Sequence, residues 1–121
     1  MKKLLLLAML TIGYIAGAQE KIQSVEAQIG VRRTVSSEWK WKRIVPCKVL
    51  FILDKNDIIT NDKDHSVYTT YETLEATENR GVWKARDKDG IECIVKIEYN
   101  YSNNILDIEY DKTCYRYFFN N

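Results

Sequence analysis

Glycine, proline and histidine are scarce in this chain, and each scarcity excludes a kind of chemistry. Only five glycines, one proline and one histidine occur among 121 residues. After residue 18 the glycines are Gly30, Gly81 and Gly90, too scattered to build a phosphate-cradling loop. His65, the sole imidazole, lies in the acidic stretch NDKDHSV, and neither HExxH nor GxSxG occurs. A nucleophilic triad with a histidine base therefore has no recognisable frame. The three cysteines, Cys47, Cys93 and Cys114, contain no CxxC pair, and only His65 could join them in a metal site, so a structural zinc site is not expected. Three cysteines cannot all pair within one chain. One bridge with a free thiol, and no bridge with buried thiols, are both open.

Two acidic stretches invite calcium, and both fail its geometry. With Gly90 of DKDG at position 6 of an EF-hand loop, positions 1 and 12 become Ala85 and Lys96. Around Asp62 and Asp64, Val67 stands where the glycine is required. No cofactor, metal or catalytic activity is expected from these motifs. An excess of charge of one sign is missing too. The formal net charge is +1, and without Lys2 and Lys3 the remaining 16 basic residues meet 17 acidic ones. Such a balance gives no general affinity for nucleic acid or for an anionic membrane.

What is present begins with a leader. Lys2 and Lys3 precede a mostly apolar run, Leu4 to Ile15, and Ala16-Gly17-Ala18 follows. This is the pattern of a signal peptide over residues 1–18, with residues 19–121 as a single exported domain, periplasmic or secreted. The run is short for a membrane span, so no stable span is expected after cleavage. The MKK start suggests a bacterial source. The sequon Asn100-Tyr101-Ser102 then counts as turn sequence rather than a glycosylation site.

Beyond the leader, Val, Ile, Thr, Tyr, Phe and Trp number 39, whereas Leu and Ala number 7. That bias favours pleated, half-buried surfaces over helices. Ile91, Cys93, Val95, Ile97 and Tyr99 alternate with Glu92, Lys96 and Glu98, and similar alternation runs through NILDIEYD and KTCYRYFF. Strands are expected at about 22–32, 38–44, 46–53, 58–61, 66–73, 81–87, 91–99, 105–110 and 113–119. Turns fall at DKND, DKDG, YSNN and Asp111-Lys112, and Pro46 opens a strand, where its missing N–H costs little. Short turns between consecutive strands predict an antiparallel meander. The expected fold is all-β, a small closed or nearly closed barrel of about eight strands, with a two-sheet sandwich as the alternative. Ile22, Val25 and Ile29 also fit helical spacing, so a helix is the alternative for the first element.

Aromatic residues supply the candidate site. In SSEWKWKRIVPC, period two puts Trp39, Trp41 and Arg43 on one strand face and Lys40, Lys42 and Ile44 on the other, with the rings about 7 Å apart. The pair either closes one end of the core or forms an apolar patch for a ligand or partner. Trp83, Tyr99, Tyr110, Tyr115 and Tyr117 fall on, or next to, apolar faces, where they fill a barrel or line a cavity. The binding candidates are thus Trp39, Trp41, Trp83, Tyr99, Tyr117 and Arg43. The expected function is a non-catalytic binding protein for a small apolar or sugar-like ligand. The alternative is a protein-interaction module, an inhibitor or accessory subunit of an envelope complex. It is motivated by the basic early segment, which includes Arg32, Arg33, Lys40, Lys42 and Arg43, against the acidic Glu98, Asp107, Glu109 and Asp111.

Overall fold

The computed structural model describes residues 20–61, 65–100 and 104–120. The leader, Asp62 and Asp64, and residues 101–103 of the YSNN turn lie outside the described residues. Ten strands are present: β1 Glu20–Val31, β2 Lys40–Trp41, β3 Val45–Pro46, β4 Leu50–Asp54, β5 Asp57–Thr60, β6 Val67–Ala76, β7 Arg80–Arg86, β8 Glu92–Glu98, β9 Asn104–Glu109 and β10 Thr113–Phe119. β4 to β10 follow one another as antiparallel neighbours, and β1 closes the ring by pairing β4 on one edge and β10 on the other. The result is a closed eight-stranded antiparallel barrel, with β2 and β3 paired to β1 outside the ring. Closure leaves the ring no continuous open edge, which answers the sandwich alternative. The helix alternative for the first element fails as well. The chain there is a twelve-residue strand whose edges are claimed by four partners.

The clearest departure from expectation lies at 38–53, where two strands were expected and three fragments occur. β4 pairs Glu20–Gln23, β3 pairs Glu26 and Ala27, and β2 pairs Gly30 and Val31. Ser24 explains the break. Its N–H donates to Val49 O, its hydroxyl donates to Cys47 O at 2.7 Å, and the same oxygen accepts Val49 N–H at 2.8 Å. The side chain thus takes over backbone partners where the ladder stops, beside a register shift between Ser24 and Glu26.

Inward-facing residues of β4, β5, β7, β8 and β9 make the core: Phe51, Leu53, Ile58, Trp83, Val95, Ile97, Leu106 and Ile108 are at most 1% exposed. Phe119 and Tyr99 pack edge to face, as do Phe51 and Tyr117. Turn chemistry follows the sequence with two refinements. At DKDG, Gly90 N–H donates to Asp87 O and Asp87 N–H to Ile91 O, so the loop has three residues and Gly90 takes φ 80°. At DKND, the left-handed residue is Lys55, at φ 58°, and not the asparagine beside it.

Candidate functional site: the open mouth of the barrel

The strands that close one end of the barrel diverge at the other. Beyond Ser24, β1 no longer pairs with β4, and a cleft of about 450 Å³ opens on the inner face there. Its walls are Ala27 and Ile29 of β1, Val45 of β3, Cys47, and Tyr115 and Tyr117 of β10. The register fixes this grouping, because Ala27 opposes Tyr117, Ile29 opposes Tyr115, and Val45 opposes Ala27. Gln28, Lys42 and Arg43 form the polar rim. A second cavity, of about 510 Å³, shares Tyr115 and Tyr117 and continues across the mouth to Tyr68, Asp87, Asp89 and Tyr110.

Asp87 anchors that second half. Its carboxylate accepts the N–H groups of Asp89 and Ile91 at 3.0 and 2.9 Å and the Tyr110 hydroxyl at 2.8 Å. Desolvation pushes the carboxyl up, but these hydrogen bonds, with that from Ile91 the strongest, outweigh it and hold Asp87 below the ordinary range. The Tyr110 phenol is raised by burial and by donating to this carboxylate. Here the aspartate is ionised and the tyrosine protonated at neutral pH.

The three cysteines are all free thiols. Burial pushes Cys93 up to about 11 and Cys114 up to about 12, leaving both unreactive at neutral pH. Cys47 is half-buried and lines the cleft. Among the described residues, no cluster of three His, Cys, Asp or Glu side chains could hold a metal ion.

The six residues singled out from sequence separate into three places. Trp83 is 0% exposed and Tyr99 6%, so both belong to the core. The Trp83 indole N–H has no hydrogen-bond partner among the described residues. Tyr117 and Arg43 line the mouth cleft. Trp39 and Trp41 lie on the outer surface of the barrel and do not close its core. Their ring centroids are 6.2 Å apart, and Trp41 covers Gly30, where a Cβ would come within 2.9 Å of the indole. Arg43 does not share their face, because β2 ends at Trp41 and the alternation stops with it.

Cations do stack on the tryptophans, but they come from elsewhere in the chain. The Arg32 guanidinium lies 3.9 Å from the Trp39 centroid and its Nε donates to Asp111 O. Arg116 lies 4.2 Å from Trp41 and forks onto Asp107, with both N···O distances 2.9 Å. The hydrogen bonds to Asp107 raise the Arg116 guanidinium further. Asp107 and Cys114, although on the outer face, are 5% and 1% exposed beside this layer. The tryptophan stretch thus builds a second, external packing layer, with its rings already engaged by the protein's own arginines.

Tyr115, one of the aromatics expected to fill the barrel or line a cavity, lines the cleft, whereas Ile29, Val45 and Cys47 escaped sequence reading as cleft residues. Alternation marks Ile29 and Tyr115 as facing one way, but not that the wall opposite them would be missing. That depends on the break at Ser24, which has no local signature. Comparison of the chain with known protein families, with curated proteins and with solved structures finds no match, so the functional reading rests on this geometry.

Proposed function

We propose that the protein is an exported, non-catalytic binding protein that takes a small molecule with an apolar body in the mouth cleft. The observation that carries this reading is the exposure of inward-facing apolar side chains. Ile29, Val45 and Tyr115 are 39%, 43% and 38% exposed, although they belong to the same pleated face as the sealed core. A ligand laid on them would complete the burial that β4 provides at the other end, at about 25 cal/mol per Å² covered. A concave, mostly apolar lining with a few polar groups at one rim is the usual form of a small-molecule site. Export is supported by the Lys2-Lys3, apolar run and Ala16-Gly17-Ala18 pattern.

Cys47 supplies the test. Alkylation of this thiol by iodoacetamide should slow when medium-chain alcohols or alkyl glycosides are added, and Val45→Trp, which fills the cleft, should abolish the effect. No slowing by any member of a broad lipid and saccharide panel would overturn the proposal.

An interaction module is the second reading, and its site is different. The groove around Trp39, with Arg33 and Lys40 on its lining and Val35 64% exposed nearby, faces outward and is basic. Reversal of Arg33 and Lys40 to glutamate should release an envelope partner under this reading. Under the small-molecule reading it should leave ligand binding unchanged.

A further inference from the structure

We infer that the molecule held in the mouth cleft is a single-chain amphiphile with an anionic head, such as a medium-chain carboxylate, whose charge is received by Lys42 and Arg43. The inference rests on the small-molecule reading above and adds the chemistry of the head group.

Charge is the first argument. Lys42 and Arg43 line the cleft, no carboxylate does, and neither cation makes an ion pair with a described residue. Four cations of the barrel wall are treated differently. Arg80, Lys84, Lys96 and Arg116 each meet a glutamate or aspartate. The cleft therefore carries two uncompensated positive charges beside an apolar wall.

Placement is the second argument. Lys42 N–H donates to Ile29 O at 2.8 Å, and Lys42 O accepts Gln28 Nε2–H at 3.1 Å. These bonds tie the backbone of Lys42 to β1, so the two cations are presented from a fixed point at the rim. Arg43 adds a planar fork suited to a carboxylate.

Polarity across the mouth is the third. Beyond the Tyr115–Tyr117 divide, the other cavity carries the ionised Asp87 together with Asp89 against one cation, Lys88, and is therefore net negative. An anion is repelled from that side and attracted to the Lys42 side, so the field orients the ligand with its chain along Ala27, Ile29 and Val45. A cleft of about 450 Å³ accommodates a chain of roughly eight to ten carbons.

The test is calorimetric titration of the full mature protein with decanoate, decan-1-ol and decyltrimethylammonium at low salt, with Cys47 protection locating the bound molecule. Decanoate should bind roughly five-fold more tightly than the alcohol, the increment expected of two exposed ion pairs, and the ammonium compound should bind most weakly. Raising the salt to about 1 M should shrink the difference. In the double variant Lys42→Gln, Arg43→Gln, decanoate should fall to the alcohol's affinity while the alcohol is unaffected. Equal binding of acid and alcohol by the unmodified protein would overturn the head-group assignment and leave the apolar site standing. A preference for decanoate that survives the double variant would do the same. Binding of none of the three, with Cys47 unprotected, would overturn both.

Discussion

The two ends of this barrel are built from the same strands by the same alternation, yet they have opposite fates. At one end Ile22, Ile97, Tyr99 and Phe119 are no more than 6% exposed. At the other, Ile29, Val45 and Tyr115 point inward and are 38–43% exposed. β1 runs the whole length, and what changes along it is the partner on one edge. β4 covers Glu20–Gln23, and only the two-residue fragments β3 and β2 follow beyond Ser24. Facing is decided by pleat, but burial is decided by closure. One end of the barrel holds the fold together, and the other is free to hold something else.

Alanine substitutions at the two ends should expose this division most strongly. Phe51→Ala and Leu106→Ala should each cost roughly 3–4 kcal/mol by urea unfolding, because sealed side chains leave cavities. Ile29→Ala and Val45→Ala should cost less than about 1 kcal/mol. Comparable losses at both ends would remove the distinction.

Ser24→Ala tests the point where the ends part. It strips partners from the Val49 N–H and the Cys47 carbonyl at a site with no exposure, and should cost roughly 2 kcal/mol. The Val49 amide should exchange with solvent faster than in the parent protein, while amides of β8 and β9 keep their relative order.

Gly30→Ala probes the outer tryptophan layer in the same manner. A Cβ there meets the Trp41 ring at 2.9 Å, so the indole must shift, at about 1–2 kcal/mol. The shift should uncover Cys114 and speed its alkylation under native conditions, leaving the mouth unaltered.

Alkaline titration gives a subtler contrast. Cys93 and Cys114 are raised in the fold, so the unfolded chain loses these protons first, near pH 8.5. Their contribution is complete below that pH and is lost as pH rises through about 11 to 12. A urea series between pH 8 and 10 should show stability falling, and falling less in Cys114→Ala. The smallest effect is expected at the sealed end's turn. Lys55→Gly relieves a left-handed lysine and should stabilise by about 0.5–1 kcal/mol without touching the cleft.

Much of the barrel was legible in sequence because alternation and turn residues are local. Strands at 91–99, 105–110 and 113–119 match β8, β9 and β10 closely, DKDG turns with its glycine left-handed, and DKND turns where expected although its left-handed residue is a lysine. The stretch 38–53 was not legible, since its breaks answer to Ser24, more than twenty residues away. The site was legible only in fragments. Tyr117 and Arg43 line the cleft, but nothing near them in sequence points to Ile29 or Cys47. Large aromatics drew attention to Trp39 and Trp41. Their role became visible only once Gly30, Arg32 and Arg116 were seen around them.

That the mouth is a preformed small-molecule site can be tested most directly by methyl NMR during titration with decan-1-ol, whose neutral head separates the apolar cleft from its charged rim. Signals of Ala27, Ile29 and Val45 should shift progressively and saturate, while those of Ile22, Leu106 and Ile108 in the sealed core stay fixed. Saturable shifts centred on the core methyls, or no saturable shift at the mouth, would contradict the account.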